Sequence, residues 1–145
     1  MAGEKSTAYS GQVLALYFNA TSIPNIAQNT ASSPITNLYV SLHTGDPTAG
    51  GNQSSNEVSY TGYARVAVAR TTAGWVVTGA SVSPSAPIVF PTPTGSAGQV
   101  ATFAAVGQAV SGATEFQYAA PISPSITITL GLPPTLTTAS AFTEA

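Results

Sequence analysis

Short strand-like runs follow one another along this chain from Thr36 to about residue 138, and glycine, proline and serine separate them. The runs are rich in valine, threonine, isoleucine and aromatic residues, which suit the pleated, half-buried surface of a sheet. Separators such as PTPTGSAG and QAVSG supply the backbone conformations of tight turns. The runs are TNLYVSLH, YARVAVAR, GWVVTGASV, APIVF, QVATFAAVG, TEFQYAAP, SITITLG and PTLTT. About eight strands at this spacing predict an all-β antiparallel sandwich or barrel.

Alternation within the first runs assigns side chains to opposite faces of a sheet. The apolar set in TNLYVSLH is Leu38, Val40 and Leu42. A period of two then places His43 on the solvent-facing side of its strand. In YARVAVAR, Val66 and Val68 share one face and Arg65 lies on the other. The TTAG connection after this run predicts a hairpin that ends near Gly74.

Residues 1–30 differ from the rest and are predicted to form an N-terminal arm and connector to a sandwich spanning residues 36–138 of a single 1–145 domain. SGQVLALYFNAT, residues 10–21, groups apolar side chains on more than one face, so it predicts either a short helix or a buried strand. Ser10 is the candidate N-cap of such a helix. The following SIPNIAQNTASSP reads as an extended connector.

Sparse charge is the unusual feature of the composition. Charged residues are 6% of the chain, against about 25% in an average soluble domain. With three basic residues and a pI near 5.0, the chain lacks the cationic surface that nucleic acid binding requires. Its apolar runs are too short to span a bilayer, and without cysteine it has no thiolate metal site or thiol nucleophile. A surface of small polar residues costs little to desolvate, which predicts a chain held in an assembly.

The 19-residue polar loop from Thr44 to Gly62 is long for a compact domain, which makes it a candidate catalytic or metal site. His43, the only histidine, lies three residues from Asp46, but the sequence has no recognisable nucleophile setting for a triad. Asp46 before Pro47 is typical of a turn in which the carboxylate accepts backbone N–H groups. A calcium ion bound by the carboxylates and amides of the loop remains an alternative, for which the oxygen donors are Asp46, Asn52, Asn56 and Glu57. We predict no catalytic residues, no cofactor and no metal.

Carbohydrate chemistry offers two weaker hypotheses. A glycosidase would have to pair carboxylates from Asp46, Glu57 and Glu115, and their spacing neither suggests nor excludes it. A sugar-binding surface would use exposed aromatic rings, for which the candidates are Tyr39, Tyr60, Tyr63 and Trp75.

The same loop is better interpreted as a docking surface, because its amides and hydroxyls offer many donors and acceptors but little charge. We predict that Arg65 pairs with Glu57 and that Arg70 reaches a partner. The predicted capsid or subunit contacts are Tyr17, Phe18, His43, Asp46, Asn52, Gln53, Asn56, Glu57, Tyr60, Tyr63, Arg65 and Arg70.

Four short motifs resemble a family of small virion proteins of tailed bacteriophages. They are LHTGDP at residues 42–47, GNQSSNE at 51–57, YTGYAR at 60–65 and the Gly-Trp pair at 74–75. The match is strong over about residues 38–80, and the C-terminal half agrees only in its pattern of strands and turns. Among such proteins, the chain is most similar to the capsid cement (decoration) proteins of short-tailed phages, including the Bordetella phage.

The resemblance implies a jelly-roll sandwich on the outer capsid surface of the virion. It also implies two partners: the major capsid protein, whose neighbouring subunits it would bridge, and a second copy of itself near the capsid two-fold axes. Residues 1–30 would then lie along a neighbour, and the 44–62 loop would set the register on the capsid. The rival hypothesis is a tail-fibre or receptor-binding module that recognises host surface glycan.

Overall fold

The computed structural model describes residues 6–23, 27, 34–48 and 51–144, and within them the chain folds as an all-β sandwich with an N-terminal helix. The elements are α1 (Thr7–Asn19), β1 (Asn37–His43), β2 (Val66–Ala69), β3 (Trp75–Thr78), β4 (Ser81–Pro84), β5 (Ile88–Val89), β6 (Val100–Gly107), β7 (Phe116–Thr127), β8 (Thr135–Leu136) and β9 (Phe142–Thr143). The antiparallel sheets have the strand orders β2-β1-β6-β7, β3-β4-β9 and β5-β8. The predicted all-β architecture is confirmed, with nine strands in the described residues where about eight were expected.

Strand β1 lies inside the four-stranded sheet, between β2 and β6. Its predicted apolar face is fully buried: the residues are Leu38, Val40 and Leu42. Val66 and Val68 of β2 also turn toward the core, whereas Ala67 and Ala69 are exposed. The period of two therefore predicted the inward faces of both strands correctly.

The predicted hairpin between β2 and β3 is wrong, because these strands belong to different sheets. Between them the chain turns sharply, and the N–H of Gly74 donates to the Thr71 carbonyl at 2.9 Å. A Cβ atom at Gly74 would lie 2.1 Å from the Ala69 carbonyl oxygen, so only glycine fits the turn. The hairpin partner of β3 is β4, joined through Gly79 with a φ of 59°.

The C-terminal part of the chain differs from the sequence prediction in two places. TEFQYAAP and SITITLG contribute to one strand, β7, whose pairing with β6 shifts register twice. The segment predicted as a tail contributes β9, in which Phe142 is buried and pairs with Val82. The sandwich therefore extends beyond residue 138.

The N-terminal segment forms a helix rather than a buried strand. α1 begins at Thr7, because the Ser6 side chain caps it by accepting a hydrogen bond from the N–H of Tyr9 at 3.2 Å. Ser10, the predicted N-cap, lies inside the helix and is buried. The helix ends at Ala20 in a left-handed conformation. Within the described part of the chain, no helix has the length and apolarity needed to cross a bilayer.

Helix α1 packs on the body of its own chain. Leu14 and Phe18 are fully buried, and the Phe18 ring lies 4.7 Å from that of Trp75 at the start of β3. Gly11 allows the helix to approach the turn between β3 and β4, since a Cβ there would lie 2.6 Å from the Gly79 carbonyl oxygen. Over residues 7–19, the segment predicted to be an arm is thus part of the folded body; residues 1–5, 24–26 and 28–30 lie outside the described residues.

Candidate functional site

The described part of the 44–62 loop folds back over one end of β1. The N–H of Thr44 donates to the Asn56 carbonyl at 2.8 Å, and the N–H of Val58 donates to the Leu42 carbonyl at 3.0 Å. Midway along the loop, the N–H of Gln53 donates to the Thr114 carbonyl at 2.7 Å. Backbone hydrogen bonds therefore fix residues 51–58 against β1 and against the loop that follows β6.

The buried Arg65 side chain lies beneath this loop and forms hydrogen bonds with several segments of the chain. Its Nε and Nη2 atoms donate to the two carboxylate oxygens of Glu57, each at 2.8 Å, which confirms the predicted ion pair in a bidentate form. Nη1 also donates to Gln53 Oε1 at 3.1 Å. The guanidinium further binds the carbonyls of Ala109 at 3.2 Å and Gly112 at 2.8 Å. One buried side chain thus ties β2, the 51–57 segment and the β6–β7 loop together.

Gln53 is fully buried beside the guanidinium. Its Nε2 donates to the Tyr39 carbonyl at 2.8 Å and to Ser41 Oγ at 3.1 Å. The amide lies directly over Gly107 of β6, where a Cβ would be 2.1 Å from Gln53 Oε1. The missing side chain at Gly107 therefore makes the space that the amide occupies.

His43 is also fully buried, so its predicted solvent-facing position is wrong. The 51–57 segment covers the face of β1 that would otherwise meet water. The Nδ1 atom lies 2.8 Å from the Ser55 carbonyl, which can only accept, so Nδ1 carries the proton. Nε2 then accepts from the Ser41 hydroxyl at 2.9 Å. Burial lowers the pKa of His43 below its usual value, because the charged ring would be desolvated.

Ser41 and His43 have the spacing of a nucleophile and its base, but both side chains are 0% exposed. A substrate carbonyl has no route to the hydroxyl. The third group on the imidazole is a backbone carbonyl, and Asp46 instead accepts from the N–H of Thr48 at 2.8 Å. The arrangement therefore positions a loop and offers no surface for acyl transfer.

Two tyrosines complete the buried site. The Tyr63 hydroxyl donates to Glu57 Oε1 at 2.9 Å and accepts from the N–H of Leu42 at 3.1 Å. Its pKa is raised, first by burial and then by the nearby Glu57 carboxylate. Tyr60 is 2% exposed and donates to the Pro91 carbonyl at 2.7 Å, and burial raises its pKa to about 12. We call Ser41, His43, Gln53, Glu57, Tyr63 and Arg65 the polar network.

The remaining polar residues of the loop make turns. Asp46 has the turn role that the sequence predicted, and the Asn56 amide donates to the Asp46 carbonyl at 2.8 Å. Asn52 Oδ1 accepts from the N–H of Ser54 at 2.9 Å. Several of the oxygens considered for calcium thus accept hydrogen bonds from protein groups: one carboxylate oxygen of Asp46, the amide oxygen of Asn52 and both carboxylate oxygens of Glu57. The described residues contain no group of three or more histidine, aspartate or glutamate side chains able to hold a metal ion.

Tyr17, Phe18 and Arg70 lie away from the loop, at the C-terminal end of α1. Arg70, predicted to reach a partner, instead donates to the carbonyls of Leu16 at 2.7 Å and of Tyr17. A cation at this end of a helix also complements its dipole. The Tyr17 hydroxyl donates to Gln117 Oε1 at 2.7 Å, and burial raises its pKa to about 12. We call Tyr17, Phe18, Trp75 and Tyr118 the aromatic cluster; their neighbouring ring centroids are 4.7 to 5.7 Å apart.

The structure therefore places many of the predicted contact residues inside the molecule. Five of them are buried in the chain itself and present no contact surface, which corrects the prediction for Phe18, His43, Gln53, Tyr60 and Arg65. Asp46 and Asn56 are exposed, and those that are half-buried are Tyr17, Asn52, Glu57, Tyr63 and Arg70. The sequence reasoning missed the Ala109 and Gly112 carbonyls, because a backbone acceptor in a distant loop leaves no mark in the residue pattern.

Because Glu57 and Arg65 pair beneath the loop, the exterior of the described part of the chain carries very little charge. Among the described residues, the exposed charged side chains are those of Asp46 and Glu115. Glu144 is half-buried and accepts a hydrogen bond from Tyr118 at 2.6 Å. Exposed apolar side chains are scattered over the same exterior, including Val110, Leu130 and Leu132, each about 60% exposed.

The model of a family described as "Podophage GP4 fiber I protein gp80" matches residues 14–141, from the middle of α1 to the residue before β9. The chain belongs to the gp80 family. No curated protein matches the chain. The gp80 match includes the whole polar network and the four motifs from which the resemblance to phage virion proteins was inferred.

Membership of the gp80 family identifies the chain as a virion structural protein of a short-tailed phage, as the motifs predicted. Two buried motif residues of this gp80-family chain, Gln53 and Arg65, fix two loops to the four-stranded sheet.

Proposed function

We propose that this chain is a non-enzymatic structural module of a virion fibre, which works by adhesion to neighbouring subunits. The observation that carries the proposal is the nearly uncharged exterior, in which Asp46 and Glu115 are the exposed charged residues of the described chain. Small polar and apolar groups lose little when a neighbour covers them, whereas each buried charge would need a partner. The description of the gp80 family as a fibre protein supports the fibre over other parts of the particle.

Of the four aromatic residues predicted to form a sugar-binding surface, two are buried, and the other two, Tyr39 and Tyr63, are half-buried. Trp75 is fully buried and Tyr60 is 2% exposed, so neither ring can stack on a sugar. The Tyr63 hydroxyl is engaged by Glu57 and by the backbone of Leu42. We therefore assign the module a scaffolding role in the fibre rather than glycan binding.

A capsid cement role on the outer shell is the second candidate. The resemblance of the motifs to cement proteins supports it, and the same neutral exterior suits a protein that bridges major capsid subunits. In that case the chain would bind the major capsid protein, as a dimer near the capsid two-fold axes.

Copy number separates the two roles. We expect densitometry of purified virions to give far fewer copies of this chain than of the major capsid protein, in the ratio set by the number of fibres. A ratio near that of the major capsid protein would instead establish the cement role. Absence of the chain from purified virions would contradict both.

Photo-cross-linking identifies the neighbour directly. Lys5 is the chain's only lysine, which makes amine-reactive reagents unsuitable. A photoreactive phenylalanine analogue at Val110, 61% exposed, should cross-link to fibre or tail proteins in intact virions. The same analogue at exposed Ser125 samples a second face, and cross-links from both positions only to the major capsid protein would refute the fibre assignment.

A further inference from the structure

The two outer strands of the four-stranded sheet are protected very differently against pairing with another strand. β7 contains Pro121 and Pro124 and is irregular in register with β6. Proline removes an N–H donor and irregular register twists the edge, and both discourage a further strand from pairing. β2, with the sequence VAVA, contains no proline, no charged residue and no register shift.

The backbone of β2 directs one set of polar groups away from its neighbour β1. The N–H of Arg70 donates to the Thr36 carbonyl at 2.9 Å, which makes alternate positions, including Val66 and Val68, the hydrogen-bonded partners of β1. The N–H and C=O of Ala67, and the N–H of Ala69, therefore point outward. No strand of the described chain pairs with this outward side, because β2 is the last strand of its sheet.

Other edge strands of the described structure are either partly covered or very short. The Asn19 amide of α1, oriented to satisfy both of its polar atoms, donates to the carbonyls of Trp75 at 3.3 Å and Thr71 at 3.2 Å. β3 is thus partly capped on its outer side. β5, β8 and β9 are two residues long, too short to template a ladder. β2 is therefore the open edge of the described structure.

An apolar groove of about 280 Å³ runs beside this open edge. Its walls are β2, the turn at Ala73 and Gly74, and the segment from Ser85 to Val89. None of these residues is charged, and the Val89 side chain on the far wall is 53% exposed. A strand laid against β2 would cover the groove and remove this valine from water.

We infer that β2 is a self-association edge, which pairs antiparallel with β2 of a second copy of this chain. Around a two-fold axis at Ala67, the N–H and C=O of Ala67 exchange hydrogen bonds with the same groups of the second copy, and two four-stranded sheets become one continuous sheet. A second copy fits because the edge is complementary to itself. Its outward backbone groups are related to themselves by the two-fold axis, and the side chain that faces its own copy on that axis is the small, uncharged Ala67.

The neutral exterior supports a copy rather than a charged partner. Arg65 and Arg70 flank β2, but the guanidinium of Arg65 is inside the polar network and that of Arg70 binds the end of α1. Two identical edges therefore approach without charge repulsion. Self-association through β2 is a property of the purified chain. It can therefore be tested independently of whether the chain belongs to a fibre or to the capsid shell.

Opposite charges introduced at position 67 test whether the two copies of β2 pair around Ala67. Ala67 is exposed, so Ala67→Lys and Ala67→Glu keep the fold, which the β-sheet circular dichroism spectrum checks. In sedimentation velocity, we expect the wild-type chain to dimerise, each variant alone to be monomeric, and an equimolar mixture of the two to recover the dimer. Ser125→Lys on β7 is the matched control, since it adds the same charge to the opposite edge, and it should dimerise like the wild type.

Three results would overturn the inference: a wild-type chain that is monomeric at every concentration, a dimer that survives Ala67→Lys, or a mixture of the two variants that stays monomeric. Hydrogen exchange gives a second readout. If the pairing is through β2, the amides of Ala67 and Ala69 should become more protected as the wild-type concentration rises, and unchanged protection in a dimeric sample would place the interface elsewhere.

Discussion

The polar network and the aromatic cluster perform the same task by different physical means. Each fixes one segment to the sheets: the network holds the 51–57 segment, and the cluster holds α1. The network does so with charged and amide groups in directional hydrogen bonds, most of them shorter than 3.2 Å. The cluster does so mainly by filling space with rings, although Tyr17 and Tyr118 also use their hydroxyls.

This difference predicts different responses to substitution. In the network, each group satisfies several others, so the loss of one leaves buried polar atoms without partners. In the cluster, the loss of a side chain removes contact area and leaves a cavity. The first kind of damage depends on chemistry and the second on volume.

Arg65→Met should cause the largest loss of stability. It keeps the length of the side chain but leaves the Glu57 carboxylate, 14% exposed, without its cation, together with the carbonyls of Ala109 and Gly112. We expect the free energy of unfolding, measured by urea denaturation, to fall by about 3–5 kcal/mol.

A double-mutant cycle with Glu57→Gln tests whether this loss comes from the unpaired carboxylate. The double variant should be more stable than the sum of the two single losses implies, because the buried charge has gone with its partner. Additive losses would show that Arg65 acts mainly through packing.

Leu14→Ala should cost less, about 2–4 kcal/mol, through the transfer free energy of the lost methyl groups and the cavity under α1. Leu14 is fully buried beside the aromatic cluster. Gln12→Ala, at an exposed position on the same helix, is the control and should change stability by less than about 0.5 kcal/mol. Leu14→Met should recover most of the loss, as expected of a site governed by volume rather than chemistry.

Mild acid should weaken the network by a smaller amount. The pKa of His43 is lowered in the folded state, so the unfolded chain binds more protons as the pH falls below about 6.5. Stability should therefore be greatest above that pH and fall below it, with a slope of at most about 1.4 kcal/mol per pH unit for one proton.

His43→Gln separates this titration from that of the carboxylates. Its stability should be lower throughout but should lack the fall that begins near pH 6.5, as measured by urea denaturation at a series of pH values. Equal slopes for the wild type and the variant between pH 6.5 and 5.5 would show that His43 binds protons equally in the folded and the unfolded chain, which would contradict a lowered pKa.

The sequence predicted the parts of the fold that obey a period. The core-facing residues of β1 follow from the alternation of side chains along a strand: they are Leu38, Val40 and Leu42. The ion pair of Glu57 with Arg65 was predictable for another reason, since the chain has few charged residues that could pair with either. The sequence did not predict that β2 and β3 belong to different sheets, because a short turn containing glycine can join two strands of one sheet or strands of two sheets.

The interior position of His43 could not be predicted for a different reason. Periodicity correctly placed His43 on the face opposite Leu42. It could not predict that the 51–57 segment would cover that face. This cover depends on Gln53, whose partners are backbone carbonyls and a guanidinium from separate parts of the chain. The residues that form such bonds have no fixed spacing in the sequence. The sequence of a polar loop that becomes buried therefore looks like that of a polar loop on the surface.

The close approach of Gln53 to Gly107 has a consequence for how sequences of this family diverge. Because a side chain at 107 would occupy the position of the Gln53 amide, the two positions are coupled over a separation of more than 50 residues in the chain. Homologues in which residue 107 is larger should have a shorter residue at 53 and a rearranged environment for the arginine. A chimera that combines Gln53 with a larger residue at 107 should be destabilised by this overlap.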